Sequence, residues 1–278
     1  MTENRLVVQV SDTHVVHEGL LHGRIDSFAG LEAVMARVES RRPDAILLTG
    51  DLADSGHPDA YKRIRDLVGP VGERLGAPVV YMPGNHDNRE NFRQVLLPGE
   101  SEGTIDQVVW VGGLRIIALD SSVPGAHHGE LRPHQLRWLR AELASPAPEG
   151  TIVALHHQPV PSPSRIANLL SLREPEAFGE VVGGTDTMMV LAGHTHHAGA
   201  GLLAGVPVWV STASAYQADV MCDDNLLRGI PGVAFTRVDV IDRAAYATQV
   251  ALAIGQEPVY EHDITGIAER LTALAPAQ

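Results

Sequence analysis

The chain has one cysteine, few aromatic residues, no long apolar run and a deficit of positive charge. Each lack closes off a class of protein. The single Cys222 excludes an intramolecular disulfide framework and any thiolate-held metal cluster. No apolar run approaches the roughly 20 residues that a membrane helix needs. The opening MTENRLVVQVSD holds too short an apolar stretch for a secretory leader and has no small-residue cleavage site. A soluble, cytoplasmic protein is the expectation. Lys and Arg number 21 against 34 Asp and Glu, for a formal net charge of −13. That argues against a nucleic-acid polymer as partner, because such binding needs a basic surface to replace phosphate counterions. It does not bar a small phosphate ligand, since a bound metal can make one pocket positive on an acidic protein. Aromatic residues are 4% of the chain while histidines number 14, a ratio that hints at imidazole in use as a ligand.

What is present is enough apolar residue for a core: 44% of 278 residues are hydrophobic. Short β-branched runs recur, namely RLVVQV (5–10), AILLTG (45–50), PVVYMPG (78–84), VVWVGG (108–113), LRIIALD (114–120), TIVALHH (151–157), TMMVLAG (187–193) and VPVWVST (206–212). Near-continuous apolar runs suit strands covered on both faces. Helical spacing lies between several of them, in SFAGLEAVMARVES (27–40), HPDAYKRIRDLVGPVGERLG (57–76) and RPHQLRWLRAELA (132–144). Proline opens the last two, and Gly76 closes the middle one. Strand–helix alternation predicts an α/β sandwich. After about residue 205 the runs VPVWVST, GVAFTRVDVID and AAYATQVALAI follow with little helix between them. They predict a second sheet packed on the first. The segment 159–179 starts proline-rich and turns weakly helical, and is read as a flap over a site. Residues 262–278 read as a C-terminal helix and a frayed tail. No linker or repeat interrupts the chain, so one domain over 1–278 is expected.

The run VLAGHTHH (190–197) raises the functional question, because three histidines follow directly on a buried-looking strand. Four other runs end in the same way. VVQV leads to Ser11-Asp12-Thr13-His14, AILLT to Gly50-Asp51, VVYMP to Gly84-Asn85-His86-Asp87, and TIVAL to His156-His157. In open α/β sheets functional residues gather beyond the carboxyl ends of strands, so five segments can meet in one place. Extended backbone sends i and i+2 to the same side, which predicts that Asp12 converges with His14 and His194 with His196. Asp, Asn and His together suit Mn, Fe, Zn or Co rather than the all-oxygen shell of Ca or Mg. Taken singly, Asp12 reads as a cap or turn, Asn85 as a turn residue and His156 as a buried structural histidine. Taken jointly, those readings need five coincidences.

The five blocks, D-x-H at 12–14, G-D at 50–51, G-N-H-D at 84–87, His156 and G-H-x-H at 193–196, resemble the calcineurin-like metallophosphoesterases. The flanking text GDLADSGHPDAY, GNHDNRENF, LDSSVPGAHHGEL and LAGHTHH is closer still to bacterial class III cyclic-nucleotide phosphodiesterases. The resemblance implies a four-layer α/β/β/α sandwich of two mixed sheets, with the metal site at the strand carboxyl ends. It implies that Asp12, His14 and His196 hold one metal and that Asn85, His156 and His194 hold a second, with Asp51 bridging. His86 would face the phosphate as the catalytic group, and Asp87 would orient His86. It also makes a homodimer reasonable.

Outside this set, Asn88 and Arg89 are candidate phosphate contacts from a helix start, or an ordinary solvated first turn. His157 and His197 each follow a ligand, and the single-residue step turns them to the opposite face. His127 and His128 sit in a Pro-Gly loop, where solvation is the default reading. Of these, Asn88, Arg89, His128 and His197 are carried forward as candidate substrate contacts.

Two divalent ions with Asp12, Asp51 and a bridging hydroxide leave the site at about +1. The implied reaction is hydrolysis of a small phosphodiester, cyclic nucleotides foremost, by in-line attack of that hydroxide. His86 would stabilise charge or protonate the leaving oxygen. A glycerophosphodiesterase, phosphomonoesterase or pyrophosphatase on the same metals is the alternative. A non-catalytic scaffold of the same fold would be expected to lose ligands or His86, and all are present here.

Overall fold

A computed structural model describes residues 4–99, 103–223 and 225–261. In chain order its elements are β1 (Arg5–Val10), α1 (Ser27–Arg41), β2 (Ala45–Thr49), α2 (Pro58–Leu75), β3 (Val79–Met82), α3 (Arg89–Leu96), β4 (Gln107–Val111), β5 (Leu114–Leu119), α4 (Pro133–Glu142) and β6 (Thr151–Leu155). Then come α5 (Arg165–Leu169), α6 (Pro175–Val182), β7 (Thr187–Ala192), β8 (Gly199–Leu203), β9 (Val206–Val210), β10 (Gln217–Ala218), β11 (Gly229–Ile230), β12 (Val233–Ile241) and β13 (Ala244–Leu252). The helix boundaries have local causes. The Asp26 side chain accepts from Ala29 N–H to start α1, Pro58 opens α2, and Gly76 ends α2 in a left-handed turn.

The strands form two mixed sheets, ordered β13-β12-β1-β2-β3 and β4-β5-β6-β7-β9-β8, plus the small pair β10-β11. Alternation along each strand splits the core into three layers. Ile46 and Leu48 of β2 pack under α1, α2 and α3 with Met35, Ile64 and Phe92. Leu47, between them, faces the opposite way and meets Ile116, Ile152 and Leu191 of the other sheet. Ile117 and Val153 turn outward from that sheet onto Leu139 of α4 and Phe178 of α6. Both sheets are thus covered on both faces, which is why β2 and β6 read as unbroken apolar runs.

The partition of strands differs from the expectation. The second sheet is built from residues 107–210, and β9 belongs to it beside β7. The hairpin β12–β13 returns to the first sheet, where β12 pairs antiparallel with β1 in the register Val7↔Val238. Sequence adjacency groups these late strands, but the open edge of β1 sits more than two hundred positions away. The strand β8, GAGLL, went unread because it lacks β-branched residues. Segment 159–179 holds α5 and the start of α6. The expected helix over 262–278 lies outside the described residues. No helix among the described residues is long and apolar enough to cross a membrane.

Candidate metal centre

β1, β2 and β3 run parallel in one sheet, and β5, β6, β7 and β9 in the other, so their carboxyl ends open on one side. The loops leaving β1, β2, β3, β6 and β7 meet there. Backbone bonds stitch them together: Asp12 N–H donates to Gly50 O at 3.1 Å, His14 N–H to Asp51 O at 2.9 Å, and Gly193 N–H to His156 O at 2.9 Å. Asp12 and His14, like His194 and His196, converge through left-handed turns and not through extended backbone. Asp12, His14, Asp51, His194 and His196 all have positive φ, between 41° and 74°. Non-glycine residues in that region carry strain of order 1–3 kcal/mol each, and such strain clusters at functional sites. Side-chain bonds hold part of it in place, such as His194 N–H to Asp12 Oδ2 at 3.0 Å. Two glycines permit the close approach. A Cβ on Gly84 would lie 2.2 Å from Asp51 Oδ1, and one on Gly50 (φ 90°) would lie 2.3 Å from His156 Nδ1.

The structure brings together all seven residues expected as ligands. His14 Nε2 is 3.1 Å from His196 Nε2, and His196 Nε2 is 3.5 Å from Asp12 Oδ1. Asp51 Oδ2 stands 3.7 Å from His14 Nε2 and 3.4 Å from His156 Nε2, between the two groups. The ring of His194 lies 5.1 Å from that of His156. Outer partners set the tautomers. His156 Nδ1–H donates to Thr49 O at 2.8 Å and His196 Nδ1–H to Tyr216 O at 3.1 Å. A carbonyl only accepts, so Nδ1 keeps its hydrogen and Nε2 is the atom turned inward, bare in the neutral ring that a cation would bind. His14 Nδ1 is bonded to the Asp54 carboxylate at 3.1 Å, with the same result.

A fit test for metal follows from the unpaired atoms. Asp12 Oδ1, Asn85 Oδ1, His156 Nε2, His157 Nε2 and His194 Nδ1 are buried without a hydrogen-bond partner. Each such atom costs about 1–3 kcal/mol in a folded protein, and a bound ion would complete several of them at once. The donors, carboxylate and amide oxygen with imidazole nitrogen, suit a first-row divalent ion.

The electrostatics agree. Burial opposes charge on His156, but Asp51 and Asp12 outweigh it and raise the imidazole to about 9. Burial likewise opposes charge on His14, and Asp54, Asp51 and Asp12 raise it above its ordinary value. Asp51 is held well below the usual carboxylate range, because His156, His14 and His86 overcome the effect of its burial. Burial and the neighbouring His156 push His194 down to about 3, while burial and His14 push His196 down to about 4 against Asp12. Buried carboxylates here are balanced by protons on two histidines, at positions where a cation would do the same work.

The other expected residues divide. His86 stands at the rim with its ring 4.7 Å from that of His14, and its Nδ1–H donates to Asp54 O at 2.8 Å. Asp87 does not orient it. The Asp87 carboxylate accepts instead from Leu52, Ala53 and Gly84 N–H and from the Tyr61 hydroxyl, tying the Asp51 loop to the Asn85 loop. Burial and Asp51 raise that carboxyl to about 6. Asn88 caps α3 through Asn91 N–H. Arg89 pairs with buried Asp120 at 2.8 Å and donates to Ser122. His197 is buried, with Nε2 2.7 Å from Ser162 Oγ. The three side chains are thus engaged in a helix cap, an ion pair and a serine hydrogen bond. His127 takes the place expected of His128: it lines the cavity, with Nδ1 3.4 Å from Asn85 Nδ2. His157 does not turn away from the site; its ring lies 4.7 Å from that of His194.

Three residues escaped the sequence reading. Asp54 binds both His14 and His86, and its signal was present as a carboxylate three positions after Asp51 in GDLADSG. Tyr216 and Arg24 have no local signal. They line a cavity of about 700 Å³ over the cluster, together with Ile25, Ile166, Leu170 and Leu227.

A family model for calcineurin-like phosphoesterases matches residues 6–198. A probable cyclic nucleotide phosphodiesterase of Rhodococcus erythropolis is 43% identical over 229 residues, 81% of this chain and 76% of the relative. A cAMP/cGMP dual specificity phosphodiesterase of Mycobacterium tuberculosis is 44% identical over 231 residues, 82% of this chain and 73% of the relative. Among solved structures, a dimetal phosphatase from Danio rerio shares the fold, with a TM-score of 0.63 at 14% identity over 87% of this chain and 98% of its own. With its five blocks joined at one centre, the chain belongs to the calcineurin-like phosphoesterase family.

Proposed function

We propose that this chain is a two-metal phosphodiesterase that hydrolyses small phosphodiesters, cyclic nucleotides foremost. The observation that carries the reading is the set of buried, unpartnered donor atoms converging on either side of Asp51. Asp12, His14 and His196 would hold one cation, Asn85, His156 and His194 the other, and Asp51 would serve both. Mn, Fe, Zn and Co all suit these donors. When bound, the pair supplies positive charge for the phosphoryl oxygens and a hydroxide-strength nucleophile from water at neutral pH.

The protein's own residues do the rest. The carbonyl of Asp54 accepts a hydrogen bond from Nδ1–H of His86, so the neutral ring presents a bare Nε2. Only the imidazolium form can give a proton from Nε2 to a departing alkoxide. His86 would therefore act as the acid in its imidazolium form. The acidic surface supports a small substrate over a nucleic-acid strand.

The test is a substrate panel with Mn²⁺-reconstituted protein: 3′,5′- and 2′,3′-cyclic nucleotides, glycerophosphodiesters and monoesters. Metal-dependent turnover of cyclic diesters above monoesters is expected. Full activity after exhaustive chelation, or a monoester preference, would refute the reading.

A further inference from the structure

One wall of the cavity has no part in holding metal or phosphate. Tyr216 reaches it from the loop between β9 and β10. Its ring centroid lies 4.3 Å from that of His196 and 5.5 Å from that of His22. The arm that returns through β11 presses on the ring, since a Cβ on Gly229 would come within 3.0 Å of Tyr216 Cδ2. The ring is thus fixed by neighbours on several sides, yet it still lines the open cavity. Ile25, Ile166, Leu170 and Leu227 line the same space, and Ile166 and Leu227 are 46% and 74% exposed. The phenol oxygen has no protein hydrogen-bond partner among the described residues. A phosphate group alone would leave this apolar, aromatic ground wet.

We infer that Tyr216 is a specificity-determining residue, its ring being the platform on which the planar base of a nucleotide substrate stacks beside the metal centre. The inference rests on the two-metal phosphodiesterase reading and deepens it. A stacking face tolerates any base, because every base has a π-face. Changing the side chain removes a ring packed on His196 but leaves the hydrogen bond that orients this imidazole. It is the Tyr216 backbone carbonyl, not the phenol, that holds His196. Removing a base–aromatic stack costs about 5- to 150-fold in affinity.

The experiment compares binding of AMP and of inorganic phosphate to the Zn²⁺-loaded protein by calorimetry, so it needs no turnover. Wild type should bind AMP more tightly than phosphate; equal affinities would overturn the inference. Tyr216→Ala should weaken AMP about 5- to 150-fold and leave phosphate unchanged. An equal loss for both ligands would mean that the side chain acts through His196, and no loss for either would mean that it acts on nothing; both overturn the inference. Tyr216→Phe should keep AMP affinity within about threefold, and a loss as large as in the alanine variant would assign the effect to the hydroxyl and overturn stacking. Should the alanine variant fail to fold, the base protons of AMP on wild type give the answer by NMR. They should move upfield in the ring current, and an absent shift overturns the inference. Failure of the phosphodiesterase reading would appear separately, as no metal-dependent turnover of any diester by wild type.

Discussion

Cation binding should expel protons, and the amount follows from the site. In the metal-free protein, His156 sits between Asp51 and Asp12 and is raised to about 9. At pH 7 its inward Nε2 therefore carries a proton that a cation must displace. Each pH unit between 7 and 9 is worth tenfold, or about 1.4 kcal/mol, so the competition weakens apparent affinity at pH 7 by about 100-fold. His14 is raised as well and works in the same sense. His194 and His196, held down to about 3 and 4, are already neutral and release nothing. Titrating Mn²⁺ into apo-protein calorimetrically, in buffers of different ionisation enthalpy, counts the protons. At least one should leave at pH 7, and affinity for the tighter pair of ions should climb about tenfold per unit towards pH 9 before levelling. Binding at pH 7 without proton release, or with a flat profile from 7 to 9, would show that the histidines are not the groups that meet the metal.

The same linkage acts on folding. The folded value of His156 exceeds its unfolded value near 6.5, so its contribution is complete below about 6.5 and is lost as pH rises through about 9. The melting temperature of metal-free protein should fall across that window, and metal should suppress the fall; parallel curves would contradict the assignment. His86→Ala should keep both metals by metal analysis yet lose about 100-fold or more in kcat on a diester with an alkoxide leaving group. The loss should be far smaller with p-nitrophenolate, and equal losses on the two would remove the proton-donor role. Gly84→Ala drives a methyl group to within 2.2 Å of Asp51 Oδ1, so about 2–4 kcal/mol of stability and the two-metal occupancy should go together in denaturant and metal titrations. A variant of wild-type stability with both metals would refute that packing.

Much of the centre was legible because parallel strands buried on both faces must end somewhere, and these end on ligand residues. Asp12, Asp51, Asn85, His156 and His194 stand one to three positions past such runs, where chain order alone marks them. The reason they converge was not legible. Alternation suggested an extended path, whereas Asp12, His14, Asp51, His194 and His196 sit in left-handed backbone that only tertiary contacts hold. The pairing of β12 with β1 was hidden by its sequence distance. Neighbours of ligands proved hardest to read. Asn88, Arg89 and His197 have the chemistry of substrate contacts, but a helix cap, a buried ion pair and a serine bond use it. Tyr216 comes from an irregular loop with no periodicity to announce it.

The most direct measurement is a crystal structure of the Mn²⁺-loaded protein with anomalous data at the manganese edge. Two peaks should flank the Asp51 carboxylate, one against His14 and His196, the other against Asn85, His156 and His194. A single peak, or two that do not share Asp51, would contradict the two-metal account.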